Sequence, residues 1–108
     1  MEIKRQNIGE LEELILLVVG ILDNNAYGIT VQEEVKKQSG RKLTISAVHS
    51  VLLRLEKKGL LKSSVGGETN ERGGRRKRFF QLTGLGKENI TEIKEMRNKL
   101  WNLIPDLT

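Results

Sequence analysis

The chain has no cysteine. Disulfides, thiolate metal sites and cysteine nucleophiles are therefore excluded, and the absence fits a reducing cytosol. Histidine is nearly as scarce: His49 is the only one, and no carboxylate and nucleophile can be grouped with it into a catalytic set. Aromatic residues make up 4% of the chain, namely Tyr27, Phe79, Phe80 and Trp101, and the one proline is Pro105. Long apolar runs are missing too. The longest covers residues 14–19 and continues past Gly20 with Ile21 and Leu22. That is far short of the roughly 20 residues that span a bilayer. It also follows a charged, polar start with no small-residue cleavage site, unlike a secretory signal. Gly84-Leu85-Gly86-Lys87 lacks the spacing and the trailing Ser/Thr of a phosphate-binding loop. No metal-ligand cluster is present. We expect a cytoplasmic, soluble protein that is not an enzyme, with no catalytic residue, cofactor, metal or membrane partner.

What the chain does have is positive charge in one place. The formal net charge is +5, and Arg72, Arg75, Arg76, Lys77 and Arg78 crowd into a single short segment. These cations repel one another unless something anionic lies alongside, and a concentrated basic patch points to a polyanion, most often nucleic acid. At 108 residues the chain is one small domain. A chain of this size buries only about two-thirds of its unfolded surface, so self-association would help it.

Residues 44–83 organise the rest. Thr44 stands where a helix N-cap should be. Ile45, Val48, Leu52 and Leu55 then recur with the spacing of one helix face, which assigns these four to the core. Lys57, Lys58 and Gly59 suit a helix C-terminus: the cations complement the dipole, and the glycine can take the left-handed conformation. Strands are expected over residues 60–65 and 78–82. Between them lie Gly66, Gly67, Gly73 and Gly74, too long a connection for a tight hairpin. A helix followed by a basic β-ribbon is the layout of a winged helix-turn-helix.

The preceding segments complete that layout. A first helix over residues 9–22 is apolar almost all round, through Leu16, Leu17 and Val19 as well as its main stripe. Such a helix needs cover on every side, so part of it is expected against the last helix or a second subunit. Asp23-Asn24-Asn25 is a turn, and a second helix runs from Ile29 to about Gln38. Ser39-Gly40-Arg41-Lys42 leads into the helix at Thr44, completing a helix-turn-helix unit. After the ribbon a last helix runs to about Leu103, and Pro105 limits its extent. Its stripe of Ile93, Met96, Leu100, Leu103 and Leu107 is widened by Ile90, Trp101 and Ile104, and pairing with a symmetry mate would cover it. The fold class expected is mainly α with a small β-hairpin. Residues 1–83 form a winged helix-turn-helix DNA-binding domain and residues 84–108 a C-terminal dimerisation helix. Leu16, Val19, Ile93, Met96, Leu100, Trp101, Leu103 and Ile104 are the candidate dimer interface.

The outward face of the helix at Thr44 contains Thr44, Ser46, Ala47, His49, Ser50 and Arg54. Recognition helices present their N-terminal half to base edges, so Ser46, Ala47, His49 and Ser50 are the base-readout candidates. Ala47 could meet a thymine methyl. Arg54, Lys57 and Lys58 read either as phosphate contacts or as solvated charges. Arg75, Arg76, Lys77 and Arg78 should hold the backbone or reach the minor groove. Strand alternation sends Phe79 and Phe80 to opposite faces, and Leu82 shares the face of Phe80, which makes Phe80 the inward one. Phe79 packs or stacks on a base, and Tyr27 packs with its hydroxyl free to reach a phosphate.

Several of these pieces resemble the PadR family of bacterial winged-helix transcriptional regulators, over about residues 8–104. Gly9-Glu10-Leu11-Glu12 is similar to the family's opening, and Ala26-Tyr27-Gly28 to the aromatic-Gly start of its second helix. Leu52, Arg54-Leu55-Glu56 and Gly59-Leu60 match the end of its recognition helix. Gly74-Arg75-Arg76-Lys77, the aromatic pair, Leu82-Thr83 and Gly86 match its wing and exit. The resemblance implies a homodimer joined through the first and last helices. It also implies binding to double-stranded DNA at palindromic operators, usually as a repressor, and in many members release by a small molecule or stress signal. It makes Trp101 a candidate for a small apolar effector pocket, with a packing anchor as the alternative. Three features depart from the family pattern. His49 replaces the usual mid-helix tyrosine, Phe79 and Phe80 replace wing tyrosines, and the wing carries one extra cation. Two other readings share the fold: a protein-interaction module whose basic wing meets an acidic partner, and a nonspecific architectural DNA binder.

Overall fold

Helix starts in this chain are set by short polar links. In the computed structural model, which describes residues 7–66 and 77–106, α1 (Glu10–Leu22) begins where the Gly9 N–H donates to Glu12 Oε1 at 2.9 Å. Helix α2 (Gly28–Ser39) begins where the Tyr27 N–H donates to Thr30 Oγ1 at 2.9 Å. For α3 (Ile45–Lys57) the Ala47 N–H donates to Thr44 Oγ1 at 3.0 Å, the expected N-cap. A short 3-10 turn, Asp23–Asn25, separates α1 from α2. Gly40 and Gly59 both take positive φ, which ends α2 and turns the chain out of α3 without the clash a side chain would bring. Strands β1 (Leu61–Gly66) and β2 (Lys77–Leu82) pair antiparallel, with Leu61 opposite Leu82 and Gly66 opposite Lys77. Helix α4 (Gly84–Leu103) follows, capped by Thr83, whose Oγ1 accepts from the Gly86 N–H. Among the described residues, four helices and one hairpin make the mainly helical winged-helix architecture expected.

One core joins these elements. Ile15, Leu16, Val18 and Val19 of α1 meet Val31 and Val35 of α2, Val48, Val51, Leu52 and Leu55 of α3, and Leu60, Leu61 and Phe80 around the hairpin. Each such side chain contributes about 1.5–3 kcal/mol by leaving water. Two expectations are corrected here. Ile45, expected in the core, is 38% exposed, and Val51 is buried in its stead. Ile45 is the first residue of α3 and lies beyond the reach of the core, beside Gly28 at the start of α2. Leu16 and Val19, expected at a seam between copies, are fully enclosed by their own protomer. Helix α1 runs through the middle, with α2, α3, β2 and α4 all against it. Only Leu17 and Ile21 among its large apolar residues stay exposed.

The hairpin and α4 are fastened at a single corner. Thr83 donates its N–H to the Leu60 carbonyl at 3.1 Å and its hydroxyl to the Gly59 carbonyl at 2.6 Å. Gly86 sits so close that a Cβ there would fall on the Leu60 carbonyl oxygen. Further along α4, Asn89 is buried and Ile90 packs on the core, whereas Met96, Leu100, Trp101, Leu103 and Ile104 are exposed. Leu107 lies outside the described residues. Because the obstacle at Gly86 is backbone, Gly86→Ala should lower unfolding free energy by about 1–3 kcal/mol in urea titration. Gly84→Ala, where a Cβ meets open space, should leave it unchanged or slightly raised.

A second fastening is ionic. Glu12 is buried in the first turn of α1, and both its carboxylate oxygens accept from Lys58 Nζ, at 3.0 and 3.1 Å. Arg54 NH1 lies 3.8 Å away. Burial alone would push the Glu12 carboxyl up. The Gly9 N–H, the Lys58 ammonium and the Arg54 guanidinium outweigh it and hold the carboxyl below its usual range. A folded pKa lowered in this way gives stability that is fully present above the unfolded value of about 4.3 and lost as pH falls through the folded one. The destabilisation caused by Glu12→Gln should therefore be largest near neutral pH and shrink below about pH 4, as read by urea unfolding at a series of pH values.

Candidate nucleic-acid interface

The outer side of α3 carries small and polar groups over its first half, whereas Val48, Val51, Leu52 and Leu55 face inward and Ile45 and Leu53 stay exposed. Thr44, Ser46, His49 and Ser50 are exposed and Ala47 is half-buried. His49 does not stand free of the scaffold. A Cβ built on Gly28 would lie 2.8 Å from His49 Nε2, so the missing side chain at Gly28 is what lets the imidazole settle onto the start of α2.

The next residue back, Tyr27, receives the base of the wing. Lys77 Nζ sits 4.5 Å from the Tyr27 ring centroid and donates to its hydroxyl at 3.3 Å. An ammonium over an aromatic face is attracted by the ring quadrupole. Phe79 meets the same ring edge-on, with centroids 5.2 Å apart, and its own ring lies over Gly66, where a Cβ would come within 2.6 Å. Phe79 is thus committed to packing on the outer side of the hairpin, while Phe80 is fully buried in the core as expected. The Phe80 N–H also donates to the Ala26 carbonyl at 2.8 Å. Tyr27-Gly28 is therefore the place where the outer face of α3 and the base of the wing come together: His49 rests on one residue, Lys77 and Phe79 on the other.

The remaining candidates divide. Arg78 is exposed and donates from NH1 to Ser63 Oγ at 2.9 Å, and Ser63 in turn donates to Glu56 Oε2 at 2.6 Å. A relay of hydrogen bonds thus orients one wing cation from the end of α3. Arg54 is 54% exposed and shares the Glu12 carboxylate. Lys58, read from the sequence as a phosphate contact or a solvated charge, is neither: its ammonium is held by Glu12 and by the Asn7 carbonyl at 3.1 Å. Lys57 is exposed. Arg72, Arg75 and Arg76 lie outside the described residues. The Glu12–Lys58 pair and the Gly28–His49 contact had no signal in the sequence beyond the placing of an acid in one first turn and a glycine after an aromatic.

Among the described residues no group of three His, Asp or Glu side chains could hold a metal ion, and no helix is long and apolar enough to cross a membrane. Between α1 and α4 lies an open groove of about 380 Å³, flanked by Glu13, Leu17, Ile90, Ile93 and Arg97. Arg97 NH2 donates to Glu13 Oε1 across it at 2.8 Å.

Comparison with known proteins agrees with this architecture. The chain is 30% identical over 87 residues to an uncharacterized protein of Lysinibacillus sphaericus, covering 79% of this chain and 75% of that one. Its fold is similar to that of a PadR family transcription regulator from Clostridium difficile R20291, with a TM-score of 0.71 at 24% identity over 88% of this chain and 94% of the other. It is also similar to a PadR-like transcriptional regulator from Bacillus cereus, with a TM-score of 0.70 at 20% identity over 90% and 89% of the two chains. Residues 15–92 match the Transcriptional regulator PadR-like family, a family of regulators rather than enzymes. With the helix-turn-helix, the wing and this match in place, the chain belongs to the PadR-like family of DNA-binding transcriptional regulators.

Proposed function

We propose that the protein is a homodimeric repressor that reads a palindromic operator in double-stranded DNA. The observation that carries this reading is the meeting of an exposed polar α3 face with a cationic wing base at Tyr27-Gly28. Ser46, Ala47, His49 and Ser50 are assigned to base edges, and Thr44 and Arg54 to the flanking backbone. Lys77 and Arg78 are assigned to phosphates, together with Arg75 and Arg76 just before them in sequence. Phosphate contacts position and base contacts specify, so the two groups have different signatures.

Dimerisation is supported by α4. Met96, Leu100, Trp101, Leu103 and Ile104 leave an apolar stripe on its outer half, and Trp101 alone is 54% exposed. Ile93, half-buried beside α1, continues it inward. A second copy, meeting Leu17 and Ile21 of α1 as well, would cover this surface. Work thus divides near Thr83, with DNA contact before it and dimer contact after it. A dimer seated on an operator acts by occupying it. Trp101 in the seam offers a flat apolar surface to a small effector that would release the DNA. Such a protein works in the cytoplasm.

Selection from a random duplex pool at near-physiological salt tests the reading. An enriched inverted repeat, with half-sites about one helical turn apart, is the expected result. Recovery of unselected DNA would favour an architectural binder, and recovery of none, alongside a tight protein partner, an interaction module. On the enriched site, a dimer neutralising about eight phosphates gives a slope near −7 for log affinity against log salt. Lys77→Ala should reduce that slope by about 2 per dimer and weaken all sequences alike. His49→Ala should instead change the ranking of half-site sequences, and an equal loss on every sequence would remove His49 from base readout.

A further inference from the structure

We propose that Glu12 is a positioning residue that fixes the direction of α3 against α1, and with it the half-site separation the dimer accepts. The proposal rests on the dimeric operator-binding reading above.

Glu12 and Lys58 are 46 residues apart in sequence and join the first turn of one helix to the C-cap of another. The side chain of Glu12 is 7% exposed, so the pair works where water screens it little. All three N–H donors of the Lys58 ammonium have a place, on Glu12 Oε1, Glu12 Oε2 and the Asn7 carbonyl. Arg54, one turn earlier on α3, lies 3.8 Å from the same carboxylate. The link is thus held by two cations of the recognition helix rather than one. Glu12 also caps α1 by accepting from the Gly9 N–H, but that bond needs only an oxygen, which glutamine supplies equally well. The charge is required for the link to α3 alone.

The other fastenings of α3 do not tie its direction to α1 in the same way: the hydrogen bond from Ser63 to Glu56 joins it to the hairpin instead. Val48, Val51, Leu52 and Leu55 pack it onto the core through non-directional apolar contacts, and its outer end rests on Gly28 through His49. Thirteen residues make a helix about 20 Å long. A swing of about 5° carries one end of such a helix about 1.7 Å relative to the other. Two-fold symmetry doubles this to about 3.4 Å, one base-pair step of the duplex. Helix α1, at the other side of the latch, carries Leu17 and Ile21 on the proposed dimer surface. The carboxylate therefore stands between the element that fixes the distance across the dimer and the element that reads bases.

The test uses the intact chain and duplexes in which the enriched half-sites are moved apart or together one base pair at a time around a separation of about 10. The wild-type protein should prefer one separation at least about tenfold over its neighbours. Glu12→Gln and Lys58→Met should each reduce that preference at least about threefold, while both variants still unfold cooperatively. The double variant should lose less than the sum of the two singles and no more than about what Glu12→Gln loses, because both changes act on one link and Lys58→Met leaves only Arg54 on the carboxylate. The proposal is overturned if Glu12→Gln keeps the wild-type preference, or weakens every separation equally as a general loss of structure would. It is overturned also if both single variants are unfolded at the temperature of binding, since the link would then serve stability alone. A wild-type protein that binds DNA with no preferred separation would instead sink the dimeric reading beneath it.

Discussion

The arrangement of every surface that faces outward here depends on where Phe80 sits. Its ring is fully buried in the core, and its N–H is spent on the Ala26 carbonyl just before α2. One residue therefore fastens the wing to the hydrophobic interior and to the helix-turn-helix backbone together. Because successive strand residues point to opposite faces, burying Phe80 forces Phe79 outward onto Tyr27, and Lys77 follows to the same side. A two-stranded hairpin is marginal on its own in water. Tied down in this way, the base of the hairpin is held firmly against the helices.

Much of this was readable in the residues, and the failures have physical reasons. The Thr44 cap, the turn at Gly59, the hairpin and the inward Phe80 are local signals, each contained within a few residues. Ile45 fitted the helical period of α3 but is exposed, because periodicity reports which face a residue is on and not where the core stops along that face. Leu16 and Val19 were misplaced for a related reason. An all-round apolar helix demands cover, and composition does not distinguish cover by the same chain from cover by another. Here α2, α3, the hairpin and α4 supply it. The Glu12–Lys58 link was invisible because nothing local pairs residues so far apart. Its cost to the recognition surface, one cation withdrawn from solvent, appears only in three dimensions.

Helix α4 has two characters. Its first turns are locked to the corner at Gly59-Leu60 by Thr83, by the close approach at Gly86 and by Ile90. Its outer half offers apolar side chains to whatever meets them. The same corner ends α3 and begins β1, so the helix proposed to join two copies leaves the domain within a few residues of the helix proposed to read bases.

The bare backbone at Gly28 has a consequence for the outer face of α3. Position 49 projects from α3, where we propose that it reads bases, yet its side chain lies against position 28 on another helix. A new residue at 49 must fit that floor, and any side chain acquired at 28 would lift whatever stands at 49. A side chain at Gly66 would displace Phe79 across the hairpin in the same way. The posture of the side chain proposed to read bases is therefore set by a glycine on another helix.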